Sequence, residues 1–107
     1  MKKKNNFLNF DNYFSNYQKL IYNEDNQNKI KEIILKFKRL KNRNGKLILL
    51  GNGGSASSAS HLLVDFTKNA GVKAINFNEI SLITAFSNDY GYENYLAKAL
   101  KFYCKKD

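Results

Sequence analysis

Apolar side chains recur at steps of three and four in the N-terminal part of the chain. In residues 7–23 these positions hold Phe, Tyr and Ile, and in residues 26–42 they hold Ile, Phe and Leu. Such spacing places apolar side chains on one side of a helix, so it predicts two amphipathic helices within residues 1–45. Asp11 is placed to cap a shorter form of the first helix, and a polar turn at residues 42–45 ends the second.

The pattern changes in residues 46–107, where short apolar runs precede and follow a helical segment. Residues 46–50 and 72–77 have the length and apolar character of buried strands. Between them, a loop of small residues opens a predicted helix over residues 55–68, which Ser55 is placed to cap. This order forms a βαβ unit with a right-handed crossover between parallel strands, so the predicted fold class is α/β. Two more helices are predicted, over residues 80–86 and 92–103.

The net charge of +9 raises the question of nucleic-acid binding. Residues 1–45 hold eleven Lys and Arg against four Asp and Glu, whereas residues 46–107 hold seven against five. The basic residues of the second helix gather at its C-terminal end, where the helix dipole favours cations. A solvated helix end explains them, so we do not expect a nucleic-acid partner.

The sequence lacks the marks of a membrane or secreted protein. No apolar run reaches the roughly eighteen residues of a membrane span, and polar residues soon interrupt the segment after the basic residues 2–4, unlike a signal peptide. The single cysteine, Cys104, cannot form an internal disulfide and is typical of a small core residue. We expect a soluble, cytoplasmic protein.

The segment with the most informative chemistry is residues 51–58, Gly-Asn-Gly-Gly-Ser-Ala-Ser-Ser, which we call the glycine loop. Glycine allows close backbone approach to a ligand, and the first amides of a helix have no partners inside it. With the helix dipole, these features favour an anionic or polyhydroxylated ligand. A tight, well-capped turn is the alternative, but a turn needs fewer glycines and serines than this loop contains.

Nucleotide-binding patterns fit the glycine loop poorly. Gly51, Gly53 and Ala56 satisfy the loose dinucleotide pattern, but the acidic residue that would hold a ribose comes late, at Glu79. A P-loop is excluded because no Lys followed by Ser or Thr ends the glycines. We therefore expect no nucleotide cofactor.

His61 and Asp65 lie four positions apart and so share one face of the predicted helix. Such a pair can shuttle protons or ligate a metal together, although two ligands are too few to hold a metal firmly. An ordinary surface pair explains the spacing equally well. Further along, residues 88–91, Asn-Asp-Tyr-Gly, are predicted to form a polar turn.

Together these segments resemble the phosphoheptose isomerases, whose fold is the SIS domain of sugar-phosphate isomerases. The resemblance rests on residues 51–61, on Asp65 and Phe66, and on residues 82–92. The glycine loop alone is moderately specific, and joined to the Asn-Asp-Tyr-Gly segment at this distance it is strongly specific.

The resemblance implies a partial SIS domain over residues 46–107, namely the first βαβ unit of a doubly wound, flavodoxin-like parallel sheet. A helical hairpin over residues 1–45 would precede it. The implied reaction is aldose–ketose isomerisation of sedoheptulose 7-phosphate to a manno-heptose 7-phosphate for surface glycans such as lipopolysaccharide or capsule. Family members are usually homotetramers, and some bind zinc.

The resemblance also implies roles for individual residues. His61 matches a zinc ligand, and Asp65 matches a catalytic carboxylate that contacts the same metal, so both are candidate catalytic and metal-binding residues. The implied substrate-binding residues are Asn52, Gly53, Gly54, Ser55, Asn88 and Asp89.

Two departures from the family pattern affect these expectations. Asp65 is one methylene shorter than the family's glutamate, which puts its reach as a base in doubt. We also expect the third strand of the domain, and the phosphate-binding loop after it, to lie beyond residue 107.

A sugar-phosphate isomerase as a partial chain is the first hypothesis. The alternatives are a non-catalytic SIS fragment that binds a sugar phosphate or a partner subunit, and a basic module for nucleic acid.

Overall fold

The computed structural model describes residues 9–104. This part of the chain divides into two compact units, of which one ends at Arg39 and the other begins at Leu40. Phe7, which we placed in the first helix, lies outside the described residues. Within residues 9–104 no helix combines the length and apolar character needed to cross a membrane.

The N-terminal unit contains two helices, as predicted. Helix α1 spans Phe10–Ile21 and helix α2 spans Glu24–Asn42. The N-cap of α1 is Asn9, whose side chain accepts a hydrogen bond from Asn12 N at 3.1 Å, so the prediction that Asp11 caps this helix is wrong. Asp11 instead lies in the first turn, where its charge suits the helix dipole.

The beginning of α2 is set by Asn23. Its side-chain oxygen accepts from Asp25 N at 2.9 Å and from Asn26 N at 3.4 Å. These bonds satisfy amides that have no partner inside the helix, so α2 starts two residues earlier than its apolar pattern predicts. The arrangement of α1 and α2 as a hairpin stays a prediction.

The apolar side chains of α1 and α2 are largely exposed. No residue of either helix is buried, and Phe10 is 67% exposed. The helices that the periodic pattern predicts are therefore present, but their apolar faces are not buried within the described chain. The exposed apolar residues on α1 are Phe10, Tyr13, Phe14, Tyr17, Leu20 and Ile21, and those on α2 are Ile30, Ile33, Ile34 and Leu35.

The second unit contains the predicted strand–helix–strand arrangement. Strand β1 (Lys46–Ile48) pairs in parallel with strand β2 (Lys73–Ile75), with Leu47 opposite Ala74. Leu49 N donates to Ile75 O at 2.9 Å and extends the pairing by one bond. Both strands are shorter than predicted, because the paired residues end at Ile48 and Ile75 although Leu49, Leu50 and Phe77 beyond them are apolar. The described residues thus form a mostly helical α/β fragment with a two-stranded parallel sheet.

The helix between the strands differs from the predicted one in two ways. Helix α3 spans Gly54–Val64 and has Gly53 at its N-cap, so Ser55 lies inside the helix and does not cap it. The helix then widens into a π-helical segment, Asp65–Asn69, in which Ala70 N donates to Asp65 O at 3.2 Å. A wider turn leads the chain out of the helix toward β2.

The last two helices are also displaced from their predicted bounds. Helix α4 spans Ile80–Tyr90 and helix α5 spans Tyr95–Tyr103. The Asn-Asp-Tyr part of the predicted turn is therefore the last helical turn of α4, and Gly91, with φ +83°, ends it. The prediction that α5 begins at residue 92 is wrong, because residues 92–94 form the turn between the helices. The buried core residues of this unit are Ala59, Val72, Phe77, Tyr95 and Ala99.

Candidate functional site

Two loops leave the same edge of the small sheet. Residues 49–53 follow β1 and residues 76–79 follow β2. Because the two strands are parallel, their carboxyl ends lie at the same edge of the sheet, and both loops start there. Ligands of open α/β sheets bind outside this edge. Asn52 lies in the first loop, and Asn76 and Asn78 lie in the second. This edge is therefore the candidate site.

Local geometry explains two glycines of the glycine loop. A Cβ on Gly51 would collide with the backbone of Ser55, and Gly53 has φ +55°, which favours glycine. The turn closes where Ser55 N donates to Asn52 O at 3.1 Å and Ala56 N donates to Gly53 O at 3.0 Å. These positions are glycine because the strand-to-helix turn requires it.

Gly54 has no such explanation in the fold. Its φ is not positive, and apart from its two neighbours and the backbone of its own helix, no atom of residues 9–104 lies within 4 Å of a Cβ built on it. Glycine destabilises a helix relative to alanine. No described side chain caps α3. Ser55 N and Ala56 N bond back to the loop, so of the first amides the Gly54 N–H is the one without an acceptor among residues 9–104. Open space beside a free amide donor at a helix N-terminus suits the close approach of an anionic group.

A tyrosine joins the glycine loop to residues 82–92, the other segment that carries the family resemblance. Tyr92 Oη donates to Asn52 Oδ1 at 2.9 Å, across forty positions of sequence. The Tyr92 ring packs at 5.3 Å between centroids on Tyr95, which is buried. Burial raises the pKa of the Tyr95 hydroxyl, and neighbouring Tyr92 adds to the shift. The two segments that carry the family resemblance therefore meet in the folded chain.

A hydrogen-bond network fixes the second loop against α3. Asn78 Nδ2 donates to Ser60 Oγ at 2.7 Å and to Ala56 O at 2.8 Å, and Asn76 Nδ2 donates to Ser60 Oγ at 3.0 Å. All three bonds are partly buried. The start of α3, and with it the glycine loop, is thereby held at the sheet edge.

His61 and Asp65 are in contact, as their spacing predicted. His61 Nε2 lies 3.4 Å from Asp65 Oδ2, and Asn69 Nδ2 donates to Asp65 Oδ1 at 3.3 Å. The pair faces solvent, with side-chain exposures of 80% for His61 and 47% for Asp65. Both groups are therefore accessible to a ligand from outside the helix.

The pair fits half of a zinc site. Two ligands of a tetrahedral zinc ion, with bonds of about 2.0–2.2 Å, lie roughly 3.4 Å apart, which is the separation of His61 Nε2 and Asp65 Oδ2. Residues 9–104 contain no group of three His, Cys, Asp or Glu that could hold a metal. A zinc ion at this pair would need further ligands from elsewhere.

Asn88 and Asp89 lie on the exposed last turn of α4. Asn88 Nδ2 donates to Asp89 Oδ1 at 3.2 Å. Within the described residues, the hydrogen bond that joins this part of the chain to the glycine loop is the one from Tyr92 to Asn52. The hydrogen bond to the glycine loop thus comes from Tyr92, rather than from Asn88 or Asp89.

The residues that shape this edge were not predicted from the sequence. Tyr92 was included in the helix predicted over residues 92–103, and no role was predicted for Asn76 or Asn78. Polar side chains directly after an apolar strand are a usable signal, because ligands of open α/β sheets bind outside the carboxyl ends of the strands. The role of Tyr92 has no local signal, since its partner is distant in sequence.

The comparisons with known proteins support the family resemblance. The chain is 36% identical over 83 residues to the phosphoheptose isomerase of Thermodesulfovibrio yellowstonii, covering 72% of this chain and 41% of that protein. It is 43% identical over 63 residues to the Helicobacter pylori enzyme of the same name, covering 53% and 33%. With the Fusobacterium nucleatum phosphoheptose isomerase it shares 28% identity over 95 residues, covering 84% and 49%.

These matches confirm the predicted resemblance to part of a phosphoheptose isomerase. The chain spans about a third to a half of the length of these relatives. No protein-family model matches the chain, and no solved structure matches it.

Proposed function

We propose that the chain binds a sugar phosphate at the glycine loop and forms part of an aldose–ketose isomerase. The substrate would be sedoheptulose 7-phosphate or a related sugar phosphate of surface-glycan synthesis, such as lipopolysaccharide or capsule, in the cytoplasm. The architecture would be a partial SIS domain, with the described βαβ unit as its first part.

The observation that carries this proposal is the open space at Gly54. Neither backbone conformation nor packing requires a glycine there, and its own amide, at the start of α3, has no acceptor among the described residues. Backbone amides at a helix N-terminus favour anionic groups, and the neighbouring hydroxyl and amide side chains suit sugar hydroxyls. Similarity to proteins named phosphoheptose isomerase narrows the ligand to a sugar phosphate.

Asp65 and His61 are the proposed proton-transfer residues. A carboxylate that removes a proton from C1 of the ketose and returns one to C2 interconverts ketose and aldose through an enediol. Contact with His61 and with Asn69 orients Asp65 on the exposed face of the helix. When bound, zinc at the same pair would polarise the sugar oxygens, with His61 Nε2 and an Asp65 oxygen as two of its ligands.

We also propose that the active protein is a homo-oligomer, a tetramer by family resemblance. The exposed apolar side chains of α1 and α2 provide surface for such contacts. A non-catalytic fragment that binds a sugar phosphate is the second candidate, because residues 9–104 hold no group of three metal-type side chains that would complete a site around His61 and Asp65.

Calorimetric titration of the chain with sedoheptulose 7-phosphate tests the proposal, with free sedoheptulose and inorganic phosphate as controls. We expect saturable binding of the sugar phosphate that is tighter than binding of either control. Absence of binding would contradict the proposal. A coupled assay for heptose 7-phosphate then separates the candidates, since turnover requires the isomerase and binding alone indicates the non-catalytic fragment.

If the chain were instead a nucleic-acid-binding module, calorimetry at several salt concentrations would give a different result. Binding to DNA or RNA would weaken steeply as salt rises, because phosphate contacts release counterions. The affinity for a sugar phosphate, which carries a single phosphate group, would depend much less on salt. The salt dependence therefore separates these two classes of ligand.

A further inference from the structure

We infer that Tyr92 is a positioning residue, whose hydroxyl orients the Asn52 side chain so that its amide nitrogen donates to the bound ligand. The inference rests on the proposed function, because it assigns a role within the same sugar-phosphate site. It concerns the contact between Tyr92 Oη and Asn52 Oδ1, at 2.9 Å.

Tyr92 is held in place by the turn that precedes α5. Gly91 adopts φ +83°, and Asn94 N donates to Gly91 O at 3.0 Å, which closes the turn around Tyr92. Asn94 Nδ2 also donates to Tyr90 O at 3.0 Å. Beneath the ring lies Tyr95, which is only 6% exposed. The hydroxyl of Tyr92 is therefore presented from a fixed backbone and a buried support.

The hydrogen bond decides what Asn52 offers to a ligand. A tyrosine hydroxyl has one proton, which it donates to one of the two lone pairs of Asn52 Oδ1, so the amide oxygen faces Tyr92. The amide nitrogen keeps two N–H donors, which match the oxygens of a sugar hydroxyl or a phosphate. The backbone oxygen of Asn52 accepts from Ser55 N, so the residue is fixed at both ends. Without Tyr92, the exposed amide would rotate freely.

We expect the Tyr92 hydroxyl to contribute to ligand binding more than to the stability of the fold. The bond from Tyr92 to Asn52 is solvent-exposed, so water can replace it in the folded chain at little cost. Its value lies in orienting a donor before the ligand arrives. We therefore expect loss of the hydroxyl to weaken binding more than folding.

The test compares the wild-type chain with Tyr92→Phe, which keeps the ring on Tyr95 and removes the hydroxyl. Tyr103→Phe is the matched control, since its ring packs on Phe77, away from Asn52. Calorimetry with sedoheptulose 7-phosphate should show about threefold to tenfold weaker binding for Tyr92→Phe, the worth of one hydrogen bond. The control should bind like the wild type, and both variants should melt within a few degrees of it.

A double-mutant cycle separates positioning from a general effect on the site. In an Asn52→Ala background, Tyr92→Phe should cause no further loss of binding, because its partner is absent. An equal loss in both backgrounds would overturn the inference, and so would unchanged binding by Tyr92→Phe alone.

The Asn52 side-chain amide signals in a ¹⁵N-labelled chain give a readout that does not need the ligand. We expect Tyr92→Phe to shift these signals toward those of a freely rotating amide and Tyr103→Phe to leave them unchanged. Unshifted signals would overturn the positioning role. If the wild-type chain fails to bind sedoheptulose 7-phosphate, the proposed function fails, and the amide signals still decide the role of Tyr92.

Discussion

Among single residues, Gly54 is the position where we expect one substitution to change stability and ligand binding in opposite directions. The backbone there is helical and a Cβ would enter open space, so alanine fits without a clash within residues 9–104. Gly54→Ala should raise the free energy of unfolding by about 0.4–1 kcal/mol, because alanine has less freedom to lose on folding. The same methyl group should weaken sugar-phosphate binding by filling the space of the ligand. Urea denaturation and calorimetry measure the two effects.

Gly51→Ala is the control for this prediction. Its Cβ would collide with the Ser55 backbone, so the variant should lose stability. A Gly54→Ala variant that is both more stable and equally able to bind would contradict the proposed place of the ligand. A less stable Gly54→Ala variant would contradict the description of the loop.

Ser60 links the sheet edge to α3 through two side-chain donors, those of Asn76 and Asn78. Ser60→Ala should lower the free energy of unfolding by about 1 kcal/mol, because partly buried amides lose an acceptor. Ser57→Ala, at an exposed position of the same helix, should stay within about 0.5 kcal/mol of the wild type. Equal stabilities of the two variants in urea denaturation would show that the network contributes nothing.

At the scale of elements, helix α4 depends on the ionisation of its N-cap. The Glu79 carboxylate accepts from Leu82 N at 2.8 Å, and backbone hydrogen bonds from Ser81 and Leu82 lower the pKa of Glu79 below its ordinary value of 4.5. A depressed pKa means that folding favours the ionised form, so the cap contributes fully above pH 4.5. That contribution is lost as pH falls through the lowered pKa of the folded chain.

Glu79→Gln is the variant that tests this cap. It keeps an oxygen acceptor but removes the charge at the helix N-terminus. We expect Glu79→Gln to melt below the wild type at pH 7, and the difference to shrink as pH falls below 4.5. Circular dichroism melts at several pH values measure this. A difference that stays constant with pH would show that the charge of Glu79 does not support α4.

The elements also show which features of the fold can be predicted from sequence. Periodicity located the five helices and two strands of residues 9–104, because burial and helical repeat act within short windows. The ends were missed where distant or backbone groups decide them. Ser55 was expected to cap α3, but the turn at Gly53 already closes through backbone bonds. The π-helical segment Asp65–Asn69 and the extension of α4 to Tyr90 likewise have no local pattern.

The candidate site was predictable in part for the same reason. The glycine loop and the contact of His61 with Asp65 follow from spacing along one loop and one helix. The bond from Tyr92 to Asn52 and the network around Ser60 join segments that are far apart in sequence. Only the folded second unit, with its βαβ arrangement and the α4–α5 turn, brings those side chains together, so composition and periodicity could not reveal them.

For the molecule as a whole, exposed apolar surface is the dominant feature of the N-terminal unit. Phe10, Phe14 and Tyr17 are spaced to lie on one side of α1, and each is more than half exposed. Burying one such side chain is worth about 1.5–3 kcal/mol. Monomers that leave this side of α1 in water can gain stability by association, which agrees with the proposed homo-oligomer.

We therefore expect the chain to associate, with an average mass by light scattering that rises with concentration. Replacing both Phe14 and Tyr17 by glutamine keeps helix propensity but removes the apolar contact, so association should weaken at least tenfold. Asn12→Gln with Asn16→Gln, on the opposite side of α1, is the control and should associate like the wild type. A wild-type chain that stays monomeric throughout would contradict the proposed oligomer. Equal weakening by both double variants would place the contact away from this side of α1.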